Sequence, residues 1–352
     1  MAASSVRCQG VVQVPGHSLF SVPYQRCNLR LRTKISYQGC SLEDSRATGI
    51  RIGRGIQAPS VSTESVSVLD ALTVVNENEY IGYGCLLDDN TFRERFVIRF
   101  SEVSTRGRIS LETLASLLQE AATNHVLKME YGFSPGKNMN GNITVTTRMH
   151  IEVDKYPEWR DLVEIDTWFQ PEGKNSVRRD WIVKNVRTGE SIAFATSTWV
   201  LMNSQTRRLC KMTEDLWQEL EPHMRSPAKW AMSEERRQES STKIPKLGEE
   251  AALRIEGVVA SERDCDMNQH VNNVRYLSWM IETVPEEVKR SHEVSKITIE
   301  YRQEANQEEC VDIVADIEKT ENIDTKHFTH LTKKSSDGKE INRGRTVWRP
   351  SQ

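Results

Sequence analysis

Arg148-Met-His-Ile-Glu-Val153 and Lys296-Ile-Thr-Ile-Glu-Tyr301 are two versions of one segment. Each alternates apolar and polar side chains with a period of two, the pattern of a half-buried strand. A charged bend follows each, and then a second strand: Asp161-Leu-Val-Glu-Ile-Asp-Thr167 in one case, Glu309-Cys-Val-Asp-Ile-Val-Ala315 in the other. The closing hairpins agree best. Thr188-Gly189 joins Asp180-Trp-Ile-Val-Lys184 to Ile192-Ala-Phe-Ala-Thr-Ser-Thr-Trp-Val200, and Asp337-Gly338 joins His327-Phe-Thr-His-Leu331 to Glu340-Ile-Asn-Arg-Gly-Arg-Thr-Val-Trp348. Asp-Gly is a strong hairpin-turn dipeptide. Trp199 and Trp348 fall at equivalent places, about 149 residues apart. The chain is an internal duplication.

One helix precedes the strands of each copy. Ser110 to Ala122 carries Leu111, Leu114, Leu117 and Leu118 at helical spacing. Ser110, with Glu112 in the first turn, is a plausible cap. Asn272 to Glu282 repeats the pattern with Val274, Leu277, Trp279 and Ile281, and Pro285 stops it. A long helix followed by an antiparallel meander, twice over, is α+β. A sheet wrapped around the helix buries both apolar faces. The expected organisation is a lead-in at 61–90, a first unit at 91–205, a polar and irregular connector at 206–250 and a second unit at 251–350.

The first 60 residues differ from this body. They hold seven arginines and one lysine against only Glu43 and Asp44, with frequent serine. Such a leader resembles an organelle transit peptide, the alternative being a disordered basic tail. It carries a net charge of +6 out of −3 for the chain, which leaves about −9 on the body. A body that acidic, without a long basic run, is no nucleic-acid binder. No apolar run approaches the roughly 18 to 20 residues that span a bilayer. Cys85, Cys210, Cys265 and Cys310, the four cysteines outside the leader, have no C-x-x-C or Cys/His spacing. This points to a reducing compartment, no disulfide framework and no metal site.

The chemistry is concentrated in Asp264-Cys-Asp-Met-Asn-Gln-His-Val-Asn-Asn-Val-Arg-Tyr276. A carboxylate, a carboxamide and an imidazole occupy alternate positions, Asp266, Asn268 and His270, in a loop that enters the second helix. In an extended loop alternate residues share a face, so the three side chains would converge on one bound group. Amides at the helix start offer donors for a developing oxyanion, and a histidine there can polarise or transfer protons. Asp and Asn before a helix also serve simply as caps, and on composition alone both readings stand.

The form Asp-x-Asp-x-x-x-His-Val-Asn-Asn-x-x-Tyr resembles the motif of hotdog-fold thioesterases, and DMNQHVNNVRY is similar to plant acyl-ACP thioesterases. The likeness runs from about Arg93 to Pro350, through Arg93-Glu-Arg-Phe-Val-Ile-Arg99, Asp154-Lys-Tyr-Pro-x-Trp, Arg178-Arg-Asp-Trp, Thr206-Arg-Arg-Leu, Glu300-Tyr-Arg-x-Glu304 and Glu340-Ile-Asn-Arg-Gly-Arg-Thr. The resemblance implies two tandem hotdog domains in the plastid stroma, selection of the acyl chain in the first and catalysis in the second. It implies hydrolysis of fatty acyl-ACP, ending chain elongation, with acyl carrier protein as partner and no cofactor or metal. A homodimer is compatible with it. By position it makes Asp266, Asn268, His270 and Glu304 the catalytic set. Asp266 would orient the loop, Asn268 and His270 would position and polarise, and Glu304, in the strand after the second helix, would activate water.

Two departures stand out. The family has cysteine directly after this glutamate, and here there is Ala305; either water attacks or the protein is inactive, and water guided by a carboxylate is chemically sufficient. The stretch between Gly132-Phe133 and Arg148 is also shorter than in the family, beside the helix where acyl length is measured. Met267, Gln170-x-Glu-Gly173 and Glu340-Ile-Asn-Arg resemble the oleoyl-preferring A type, whereas Gly173-Lys-Asn, Thr147-Arg-Met and Val153-Asp-Lys resemble the saturated-acyl B type; the chain is placed nearer the A type. The paired basic groups Arg178-Arg179, Arg207-Arg208 and Arg343-x-Arg345 are the candidates for docking an acidic carrier, the alternative being scattered surface ion pairs. A non-catalytic acyl-ACP binder and an acyl-CoA thioesterase are the competing readings.

Overall fold

The computed structural model describes residues 84–129, 141–248, 250–320 and 322–351. The transit-peptide expectation for 1–60, and most of the lead-in, lie outside them. In chain order come β1 (Cys85–Leu86), β2 (Phe92–Val97), helix α1 (Leu111–Met129), β3 (Asn142–Val153), β4 (Leu162–Glu172), β5 (Ser176–Asn185), β6 (Ser191–Asn203) and β7 (Leu209–Cys210). Helices α2 (Glu214–Leu220) and α3 (Glu234–Ser241) follow. The second half is β8 (Leu253–Val259), α4 (Asn273–Glu282), α5 (Glu286–Ser291), β9 (His292–Tyr301), β10 (Cys310–Glu318), β11 (Lys326–Lys334) and β12 (Glu340–Pro350).

The strands form one antiparallel sheet in the order β1-β2-β4-β5-β6-β3-β9-β12-β11-β10-β8, with β7 paired to β6. The duplicated segments meet at its centre: Arg148 lies opposite Glu300, His150 opposite Thr298 and Glu152 opposite Lys296. Equivalent strands paired antiparallel relate the halves by a pseudo-twofold axis. One hydrophobic core runs through both, from Leu114, Leu118, Ile151 and Trp181 to Leu277, Met280, Ile299 and Phe328. Helices α1 and α4 pack against each other.

Ser110 caps α1, its Oγ accepting from Thr113 N at 3.0 Å. The helix runs past Ala122 to Met129. Thr123, Asn124 and His125 are weak helix formers, but His125 stacks on Phe92 with ring centroids 5.3 Å apart, so tertiary packing overrides propensity. Asn272 caps α4 by accepting from Val274 N at 3.0 Å. Pro285 ends that helix and also begins the short α5. The stretch expected to be irregular between the halves holds β7, α2 and α3. It packs on both faces of the first half's sheet: Met212 and Leu216 on Leu201 and Met224 on Phe169, on the side that faces α1, and Ala231 on Trp168 and Ile182 of the opposite side. Lys229 over Trp168 and Gln170, with Arg93, Arg95 and Lys184 over Glu164 and Asp166, buries β4 on successive residues rather than alternate ones.

His330 and His125 are fully buried. Thr283 and Thr346 hydroxyls lie 3.2 and 2.8 Å from the His330 ring nitrogens, and burial pushes its pKa from 6.5 down to about 3. Burial, then the cations Arg179 and His223, push His125 down to about 2. Both rings are neutral in the fold, whereas in the unfolded chain they take up protons below pH 6.5. Each therefore contributes stability that is present above pH 6.5 and is lost as pH falls toward its folded value, at about 1.4 kcal/mol per pH unit for one proton. His330→Gln is expected to flatten the acid-side fall of the urea midpoint between about pH 6 and 4; a slope equal to that of the parent would refute this.

Candidate active site

Asp266, Asn268 and His270 sit on the loop before α4. The loop is a tight turn rather than an extended segment, which corrects the basis on which their convergence was expected. Asp266 N donates to His270 O at 2.8 Å, Gln269 takes φ 65°, and the Asp266 Oδ1 accepts from Asn268 N at 2.8 Å. The same oxygen faces His270 N at 3.4 Å. Asp266 thus organises the turn from inside it. Arg275 anchors its base, pairing with Asp264 at 2.8 Å and with Glu112 of α1 at 2.6 Å. Two amides of the helix start are already used: Asn272 Oδ1 accepts from Val274 N and Asn272 O from Arg275 N.

Glu304 lies just beyond β9, in a loop rather than in the strand. Backbone pairing brings that loop to the turn: Val271 N donates to Ala305 O at 2.9 Å, and His270 and Asn306 form a bridge. The outcome is His270 Nε2 at 3.6 Å from Glu304 Oε1. The other oxygen, Oε2, is ion-paired with Arg207 Nη2. Ala305 is 0% exposed and belongs to the core; its N–H donates to the hydroxyl of buried Tyr276 at 3.0 Å. Position 305 therefore points away from the site. Cys265 is half-buried, and burial followed by the carboxylates of Asp264, Asp266 and Glu262 pushes its thiol pKa up. Among the described residues no cluster of His, Cys, Asp and Glu is disposed to hold a metal ion, and no helix among them is long and apolar enough to cross a membrane.

A cavity of about 690 Å³ opens beside this loop. Asn268, Asn273 and Leu277 line it from the second half, and Ala122 and Val126 of α1, with Thr146, Phe169 and Trp199, line it from the first. Its size is in the range of sites for small apolar ligands. Trp348, the counterpart of Trp199, is instead buried in the core with Phe328. The duplicated halves have diverged: the first presents Trp199 to the cavity, and the second packs Trp348 into the core. The shortened segment falls largely on 130–140, outside the described residues, but Met129 and Thr144 on either side of it also face the cavity.

The basic pairs separate. Arg178 and Arg179 are 8% and 6% exposed, on opposite faces of β5. Arg178 pairs with Asp180 at 3.0 Å and lies over Trp230. Arg179 donates to His125 Nδ1 and Thr167 Oγ1 at 3.0 and 3.3 Å, and burial pushes its pKa down to about 10. Arg343 is buried against Glu340, and Arg345 is half-buried against Glu318 at 3.0 Å. These four are committed to internal partners, which corrects the docking expectation for them. Arg207 and Arg208 remain exposed, on the turn between β6 and β7. The Arg207–Glu304 pair was invisible in the sequence because its members lie 97 residues apart. Tyr276 lay inside the quoted motif, but nothing local showed that its hydroxyl reaches Ala305.

Known proteins resemble this chain over most of its length. Residues 89–220 match the family model for the acyl-ACP thioesterase N-terminal domain, and 255–350 that for the C-terminal domain. The chain is 39% identical over 320 residues to oleoyl-acyl carrier protein thioesterase 2, chloroplastic, of Arabidopsis thaliana, covering 84% of this chain and 87% of the relative. It is also 39% identical over 281 residues to a chloroplastic palmitoyl-acyl carrier protein thioesterase of Gossypium hirsutum, over 76% and 66% of the two chains. Among solved structures, the 12:0-ACP thioesterase from Umbellularia californica superposes with a TM-score of 0.68 at 31% identity, over 74% of this chain and 95% of that one. The fold is the tandem hotdog, α+β, as the family resemblance implied. With both parts of the family model matched in order along one chain, this protein belongs to the acyl-ACP thioesterase family.

Proposed function

We propose that this thioester hydrolase releases fatty acid from acyl-ACP by direct water attack, with Glu304 as base, His270 and Asn268 polarising and positioning, and Asp266 holding the turn. The observation that carries this reading is the 3.6 Å separation of His270 Nε2 and Glu304 Oε1 beside a cavity that Asn268 lines. That separation is slightly too long for a direct hydrogen bond, and it lets both groups contact one water placed beside them. The acyl chain lies in the apolar cavity with its thioester carbonyl at Asn268. Glu304 takes a proton as the water oxygen bonds to the carbonyl carbon; the carbon–sulfur bond then breaks, and the carrier's thiolate leaves with that proton. No acyl-enzyme forms. The absence of cysteine at 305 does not argue for inactivity, because a side chain there faces the core.

The cavity walls supplied by the first half support chain selection there. The Arabidopsis oleoyl enzyme, which shares more of the chain than the palmitoyl relative, and the A-type features favour an 18-carbon unsaturated acyl group. Arg208, exposed and without an ion pair among the described residues, is the group left to dock an acidic carrier. The relatives named above are chloroplastic, and with the Arg-rich leader this supports the plastid stroma; a fluorescent fusion of residues 1–60 that stayed cytosolic would remove that assignment.

Hydrolysis of a panel of acyl-ACPs and the matching acyl-CoAs tests the whole reading. Oleoyl-ACP is expected to be turned over with kcat/KM about tenfold or more above oleoyl-CoA, some 1.4 kcal/mol of transition-state preference. Binding without turnover would make the protein a carrier-binding module, and a preference for CoA would displace the carrier protein as partner.

A further inference from the structure

We propose that Arg207 is a positioning residue for the reaction: a cation from the first half that orients the Glu304 carboxylate of the second and keeps it ionised. The inference rests on the role given to Glu304 above. Two groups face the Glu304 oxygens, each claiming one: Arg207 Nη2 pairs with Oε2, and His270 Nε2 stands 3.6 Å from Oε1. The other charges nearby are committed elsewhere. Arg302, two residues before Glu304, pairs with Glu300 at 3.1 Å and faces Glu340 at 3.6 Å. Asp266 is turned inward on its own loop.

The turn that carries Arg207 is built to hold it. Asn203 Oδ1 accepts from Gln205 N and Thr206 N at 3.2 and 2.8 Å, while Arg207 N donates to Asn203 O and Asn203 N to Arg208 O, both at 2.9 Å. Arg207 itself takes φ 55°, a conformation that a non-glycine residue holds only where its surroundings over-determine it. Gln269, between Asn268 and His270, is held likewise at φ 65°. With its backbone pinned from both sides, the Arg207 guanidinium restricts Glu304 to the rotamer that turns Oε1 toward His270. A cation this close also favours the charged carboxylate, which a base must be before it accepts a proton.

The docking role read from the sequence and this positioning role predict different kinetics. The full chain is assayed on oleoyl-ACP and on oleoyl N-acetylcysteamine thioester, which has no carrier protein. Arg207→Gln is expected to lower kcat on both by about 10- to 100-fold with KM little changed. It should also move the acid limb of the kcat–pH profile up, since an adjacent cation favours the ionised carboxylate. Arg207→Lys should restore much of both. A rise in KM for oleoyl-ACP alone, with the acid limb in place, would overturn the proposal in favour of docking, and an unchanged kcat and profile would overturn it outright. Glu304→Gln in the same assay separates the two levels. If that variant is inactive while Arg207→Gln behaves as the parent, only the role of Arg207 fails; if Glu304→Gln is active, the assignment of the base fails with it.

Discussion

Glu304→Gln and His270→Ala are each expected to lower kcat on acyl-ACP by about 10² or more, the usual contribution of positioned proton transfer. KM should move little, because neither side chain belongs to the apolar walls that hold the acyl chain. Thiol chemistry should be dispensable by contrast. Cys265 is the cysteine nearest the site in sequence, and burial and three neighbouring carboxylates hold its thiol in the protonated, unreactive form. Cys265→Ser should therefore retain activity within a few-fold, and alkylating reagents should leave turnover largely intact. Installing the missing cysteine, Ala305→Cys, should give no burst of acyl-enzyme, since that side chain lies in the core beside Tyr276. Rapid-quench kinetics and intact-protein mass spectrometry decide the matter. An oleoyl thioester trapped on Cys265, or parental activity in Glu304→Gln, would overturn the mechanism.

Ala122→Phe should reset the chain-length preference. Ala122 lies on α1 and lines the cavity between Gln119 and Val126. A phenyl ring there takes up volume that a long acyl chain needs. A methylene gained or lost in an apolar pocket is worth about 1 to 3 kcal/mol, or 10- to 200-fold in specificity. We expect kcat/KM for oleoyl-ACP to fall by about 10²-fold while a medium-chain acyl-ACP keeps most of its rate, as a one- or two-methylene exclusion requires. The comparison must be made in this half, because the equivalent space in the other is filled by Phe328 and Trp348, and enlarging a side chain there would cost stability alone. An unchanged chain-length profile in folded Ala122→Phe would place the acyl chain elsewhere.

The parts of this protein that were legible in its sequence are those whose physics is local. Strand alternation in 148–153 and 296–301, the Thr188-Gly189 and Asp337-Gly338 turns, and the Asn272 cap each act within a few residues, so duplication, hairpins and helices could be read directly. The expected simple meander is corrected: β3 and β9 pair with the last strand of their own copy and not with the next one. Asp266, Asn268 and His270 were readable for the same reason, being held in one short turn. What only the tertiary structure decided depends on pairs distant in the chain. The seven-residue extension of α1 rests on His125 packing against Phe92, the burial of Arg178 on Trp230 of the 206–250 segment, and that of Arg179 on His125 of α1. The pairing of the two duplicated strands with each other, the different placement of Trp199 and Trp348, and the contact of Arg207 with Glu304 leave no periodic trace in composition. Burial and charge pairing are properties of surfaces brought together by the fold, and an arginine that docks a partner looks the same, residue by residue, as one that holds a carboxylate in place.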